Sequence, residues 1–188
     1  MKAPIFILAS MLVFMACGHD SSKDKKTPVA FFPVTGYLKG QINEMKKAQS
    51  NPLKKWTMDN ISDSAFLKPE QLDAAFSEFT TPVIDSLHYA SIFVENNFLD
   101  ETQNAVTLIY DPIGEVPKNI PWLKWTIYIS PTTNQVTKVY MVKKVNDMQT
   151  KQLTWKVNEK YCMIRSIADD PSKDTSFITN ETTINWNY

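Results

Sequence analysis

Leu123-Lys124-Trp125-Thr126-Ile127-Tyr128-Ile129-Ser130 is the stretch on which the fold reading turns. Large apolar residues alternate with polar or amphipathic ones, a period of two that a pleated strand splits between two faces and a helix does not. The same period recurs from about Ala90 onward, giving further candidate strands at 91–98, 104–110, 136–144, 151–157, 161–168 and 177–186. Between them, Pro131-Thr132-Thr133-Asn134, Asn158-Glu159-Lys160 and Asp169-Asp170-Pro171-Ser172 are short and rich in turn formers, so consecutive strands are expected to pair antiparallel as a meander. In the central strand the alternation puts Leu123, Trp125, Ile127 and Ile129 on one side, and Lys124, Thr126 and Tyr128 on the other. The second set is expected to face water, because one face of an antiparallel sheet is commonly solvated.

Upstream the period changes to that of a helix. Tyr37, Leu38, Ile42 and Met45 recur at helical spacing behind Thr35, a candidate N-cap, with lysines on the opposite side,. The pair Gly36 and Gly40 reads as room for close packing of that helix,. Pro52 forbids continuation, and 53–58, a polar Asp59-Asn60 turn and 64–67 read as a short hairpin,. Lys68-Pro69-Glu70 opens a second helix with Leu72, Ala75, Phe76 and Phe79 on one stripe, ended or kinked by Pro82, and 83–87 offers one further turn,. Helices first and strands after is the α+β pattern: N-terminal helices packed on one face of a C-terminal antiparallel meander sheet. By analogy of architecture it is similar to the cystatin-like and beta-lactamase-inhibitor-like classes, which carries no function with it.

The chain begins Met1-Lys2-Ala3-Pro4, and an apolar run over 5–14 follows, too short to span a bilayer as a helix,. It stops at Met15-Ala16-Cys17-Gly18, where the composition flips to polar and charged residues. Phe14-Met15-Ala16-Cys17 resembles the lipobox of bacterial lipoproteins, in which cleavage precedes a diacylglycerol-modified cysteine; Phe14 and Met15 stand where that family usually has Leu and a small residue. The resemblance implies a signal peptide over 1–16, lipidation of Cys17, and acyl chains that make membrane attachment stable. Gly18 rather than Asp after the cysteine implies, by the same resemblance, the outer membrane as the destination. The alternatives are an ordinary secretory signal with Cys17 incidental, or an uncleaved anchor. Residues 17–30 lack periodicity and read as the lipidated cysteine plus a flexible tether reaching on the order of 20 Å, and 31–188 as one domain.

Acidic and basic residues balance at 20 each, and Arg165 is the only arginine. No guanidinium cluster exists for phosphate forks, so nucleic acid is not an expected partner. With Cys17 acylated, Cys162 stands alone inside a strand-like run and reads as a buried, inert thiol,. Metal ligation would want His or Cys at short spacings, and neither HxxxH nor CxxC occurs,. Four glycines in the whole chain give no phosphate cradle, and no cofactor is expected,. His88, with Asp85, Ser86 and Ser91 near it in sequence, is the domain's one histidine and reads as a helix-end residue,. The carboxylates Glu95, Asp100, Glu101, Asp111 and Glu115 read as turn acids that would do glycoside chemistry only if two converge in space,. The tryptophans Trp122, Trp125, Trp155 and Trp186 read as core,. The proline-rich connector 111–121 is the expected functional loop, or else a rigid crossover.

From Phe32-Pro33-Val34-Thr35-Gly36-Tyr37 through Leu67-Lys68-Pro69-Glu70-Gln71-Leu72 to Gln152-Leu153-Thr154-Trp155-Lys156, the chain looks like a group of small uncharacterised lipoproteins of Bacteroidota. That resemblance implies an envelope location and no activity. The expected function is a lipid-anchored, non-enzymatic binding or accessory module of the cell envelope; the alternative is an envelope hydrolase using carboxylates or His88. Lys124, Tyr128, Lys138, Tyr140 and Lys156 form the candidate binding face, on the sheet side away from the helices. Its expected partner is an envelope protein or glycan.

Overall fold

The computed structural model describes residues 30–58 and 61–187. The expected signal peptide over 1–16, Cys17, all but the last residue of the expected tether, and the expected turn at Asp59-Asn60 lie outside the described residues. Among the described residues nine antiparallel strands form one sheet: β1 (Leu53–Met58), β2 (Ile61–Phe66), β3 (Phe93–Asp100), β4 (Ala105–Pro112), β5 (Trp122–Ile129), β6 (Val136–Asn146), β7 (Gln149–Lys156), β8 (Tyr161–Asp170) and β9 (Thr175–Asn185). Their order is β2-β1-β9-β8-β7-β6-β5-β4-β3. From β3 to β9 every strand pairs with its successor, as short turn-rich connectors require. At the far side Leu53 pairs with Asn185, so the first hairpin extends the sheet beyond its last strand.

This corrects the α+β expectation. Of the described residues 49% are strand and 19% helix, with few short helices, so the molecule is dominated by its sheet. Two physical reasons account for the difference. The expected hairpin at 53–67 joins the sheet through β9 instead of standing apart from it. The expected second helix is interrupted: a 3₁₀ turn at Pro69–Gln71 leads into α2 (Leu72–Ala75), Phe76 leaves the helical region at φ −101° and ψ 8°, and α3 (Ser77–Thr80) follows as a separate turn. Among the described residues only α1 (Val34–Lys47) is a helix of regular length; α4 (Ser86–Tyr89) is again one turn.

The α1 expectation needs two corrections of detail. Thr35 lies inside the helix, buried, and its Oγ1 accepts a hydrogen bond from the Ile84 N–H at 3.3 Å instead of capping. A methyl group at Gly40 would meet no atom within 4 Å and one at Gly36 only Pro33 Cβ at 4.0 Å, so neither glycine is required by packing.

One sheet face carries the core. Val34, Leu38, Ile42 and Met45 belong to the same buried cluster as Trp122, Trp125 and Trp155. Phe76 and Phe79 meet the Trp155 ring at 5.0 and 5.3 Å, while Trp186 packs on Trp155 at 4.9 Å. Cys162 is wholly buried there, and burial pushes its thiol up, so it stays protonated and unreactive,. At the start of the described chain the Phe31 ring meets Tyr110 and Trp125, and the Phe32 N–H donates to the Tyr110 hydroxyl at 3.0 Å.

Candidate functional site

Strand alternation and register together determine what the other sheet face presents. The pairs Thr107↔Tyr128, Tyr128↔Lys138 and Lys138↔Lys156 make one cross-strand row; Thr126↔Tyr140 and Tyr140↔Thr154 make the next; Lys124↔Val142 lies beyond. Directly opposed residues share a face and touch. The structure therefore brings Tyr128, Lys138 and Lys156 together, sets Tyr140 in the adjoining row, and leaves Lys124 apart and exposed. A bulge between Trp122 and Lys124 makes Leu123 the extra residue, so Trp122 joins the core where alternation from Trp125 assigned Leu123,.

This face is less wet than expected. Thr126 is only 4% exposed, and Tyr128, Lys138, Tyr140 and Lys156 are half-buried. The reason is that the long side chains of the row lie across one another. The Lys138 ammonium sits 3.7 Å from the centroid of the Tyr128 ring, a cation–π contact that covers the aromatic face,. Beneath this layer Thr107 is 2% exposed, and its buried hydroxyl has no hydrogen-bond partner.

At the end of the row the β3–β4 and β7–β8 turns rise around a cavity of about 300 Å³, lined by Tyr128, Lys138, Lys156, Gln103, Asn158 and Glu159 among others. Lys138 Nζ donates to Gln103 Oε1 at 2.6 Å, and Lys156 Nζ lies 3.0 Å from the Glu159 carboxylate. Burial lowers the Lys138 ammonium below the usual lysine range, repulsion from Lys156 lowers it further, and Asp100 opposes the shift. Burial raises the Tyr128 phenol and Asp100 adds to that, while a hydrogen bond with Gln103 works against them. Gln103, Asn158 and Glu159 were not among the residues expected at a site. They stand on turns, and the only sequence signal for them is adjacency to strand ends whose row is set by a register the sequence does not print.

The other candidates disperse. His88 Nδ1 lies 2.8 Å from Asp85, whose carboxylate also accepts the His88 N–H at 2.9 Å and so caps α4. Hydrogen bonds from the His88 backbone and ring hold the Asp85 carboxyl below its usual range. Ser86 Oγ accepts the Phe31 N–H at 2.7 Å, tying the start of the domain to that turn. Asp100 and Asp111 lie on adjacent strands, but Asp111 pairs with Val94, six positions along β3 from Asp100. At the rise of a strand that separates them by roughly 20 Å, too far for a glycosidase pair. The expected functional loop begins later than read, since Asp111 and Pro112 belong to β4; its Val116 and Ile120 pack on the core.

A second charged cluster had no signal in the sequence. On the core side, Glu78 of α3 accepts from Lys143 at 2.9 Å and from Lys151 at 2.5 Å. Burial pushes the Glu78 carboxyl up, but hydrogen bonds from Lys151 and Lys143 together with their charges outweigh it, and the net direction is down,.

No family model matches the chain, and no curated protein or solved structure matches it significantly.

Proposed function

We propose that the protein is a lipid-anchored binding or accessory module of the cell envelope, attached through Cys17, and that it takes its partner in the groove of Tyr128, Lys138 and Lys156. The observation that carries the groove is the state of Lys138. The side chain is half-buried, and its ammonium lies on an aromatic ring and among the described residues makes no ion pair with a carboxylate. A cation partly withdrawn from water without a counter-charge costs a fold stability, and such arrangements concentrate where a ligand supplies what is missing. The envelope location rests on the Cys17 junction and on the resemblance of the chain to small lipoproteins of Bacteroidota.

The test is partner capture in intact cells by the wild type and by a Tyr128→Ala, Tyr140→Ala double variant of unchanged thermal midpoint. Loss of the captured envelope component in the double variant is expected. Equal capture overturns the assignment of the groove.

A further inference from the structure

We infer that the groove holds its ligand through one anionic group, carboxylate or phosphate, seated between Lys138 and Lys156; this deepens the binding function proposed above and rests on it. The first observation is register. Lys138 and Lys156 are directly opposed on β6 and β7, and like charges directly opposite each other destabilise a strand pair. Nothing in the core asks for that pairing, because both side chains are on the sheet face away from it.

The second observation is that only one of the two charges is answered. Lys156 has the Glu159 carboxylate, whereas Lys138 has an amide oxygen and a ring face. Asp100 is felt by Lys138 but makes no ion pair with it among the described residues. Two ammonium groups and one carboxylate line the cavity, and since Asp100 acts on Lys138 without pairing with it, a single anionic group would give Lys138 the partner it lacks. A volume of about 300 Å³ has room for a ring-sized unit,. Gln103 is already engaged by Lys138 and Tyr128, but the Asn158 amide has no hydrogen bond among the described residues and stands at the rim to take a ligand hydroxyl. The cations are lysines, point charges without the planar fork of arginine, so the site selects charge before shape and accepts both anion types.

The full lipidated chain in detergent micelles, labelled with ¹³C at lysine Cε, tests this by titration with glucuronate, inorganic phosphate and glucose. Saturable movement of the Lys138 and Lys156 signals with glucuronate or phosphate, and none with neutral glucose, is expected; the tighter of the two anions identifies whether the natural group is a sugar carboxylate or a phosphate. Lys138→Met keeps the apolar stem and removes the charge, and is expected to weaken anion binding roughly tenfold. Lys124→Met makes the same charge change outside the groove and is expected to leave it unaltered. Equal response to glucose, no response to either anion, or equal weakening by Lys124→Met overturns the inference. Where partner capture survives Lys138→Met but is lost in the Tyr128→Ala, Tyr140→Ala variant, only the anionic ligand is wrong; where it survives both, the groove is.

Discussion

Single residues show where local reading succeeds. Cys162, Trp125 and Trp155 go to the core side because an apolar residue at a period-two position has one place to go, and alternation states that place in the sequence; Trp122 reaches it only through the bulge at Leu123,. Thr35 fails as a cap because its hydroxyl is claimed by the Ile84 N–H, a contact across the fold that no local pattern reports. Glu78 belongs to this second kind. Its two lysine partners come from β6 and β7, and its carboxyl is held below the ordinary glutamate value of about 4.3,. A carboxyl depressed in the folded state stabilises above its unfolded pKa, and that contribution is lost as pH falls through the folded one. Glu78→Gln is therefore expected to cost roughly 1–3 kcal/mol at neutral pH, and to flatten the decline of stability below about pH 4. Chemical denaturation of both proteins at pH 7 and at acid pH checks the sign; an unchanged acid slope would mean that the lysines find other partners.

At the scale of elements, the strands of the meander were legible and the second helix was not. The strands β3 to β9 are separated by turn-rich connectors, and β4 to β7 are also patterned on two faces, so their positions were written locally,. Of the stripe Leu72, Ala75, Phe76 and Phe79, all but the half-buried Ala75 are buried, yet the helix carrying it breaks at Phe76. Burial is fixed by spacing; continuity is decided by how the turns fit the sheet beneath, where Phe76 meets both Trp155 and Trp186. Phe76→Ala is expected to cost roughly 3–5 kcal/mol, because a buried phenyl leaves a cavity between two indoles that cannot close it. Urea unfolding monitored by tryptophan fluorescence measures this; a cost under about 1 kcal/mol would mean that the turn moves in to fill the gap.

For the whole molecule, the groove and the anchor are separate predictions. Cys17→Ser is expected to abolish lipid labelling and to leave an unprocessed or soluble form, while purified variant protein keeps the same thermal midpoint and the same response to anions. A correctly cleaved Cys17→Ser protein that stays membrane-bound would refute the lipid anchor. The candidate face was half legible: alternation named Tyr128, Lys138 and Lys156, but the turns that wall the cavity needed a register. The union of β1 with β9 was not legible at all, since pairing between the first and last strands leaves no mark in either. It has a consequence in time. The strands β3 to β8 can zip in the order in which they are made, each on its predecessor, but Leu53 must wait for Asn185. Contacts between distant parts of a chain form late, because loop closure precedes their reward. The first hairpin is then the last piece to settle, and until β9 has been made its strands have no sheet to join.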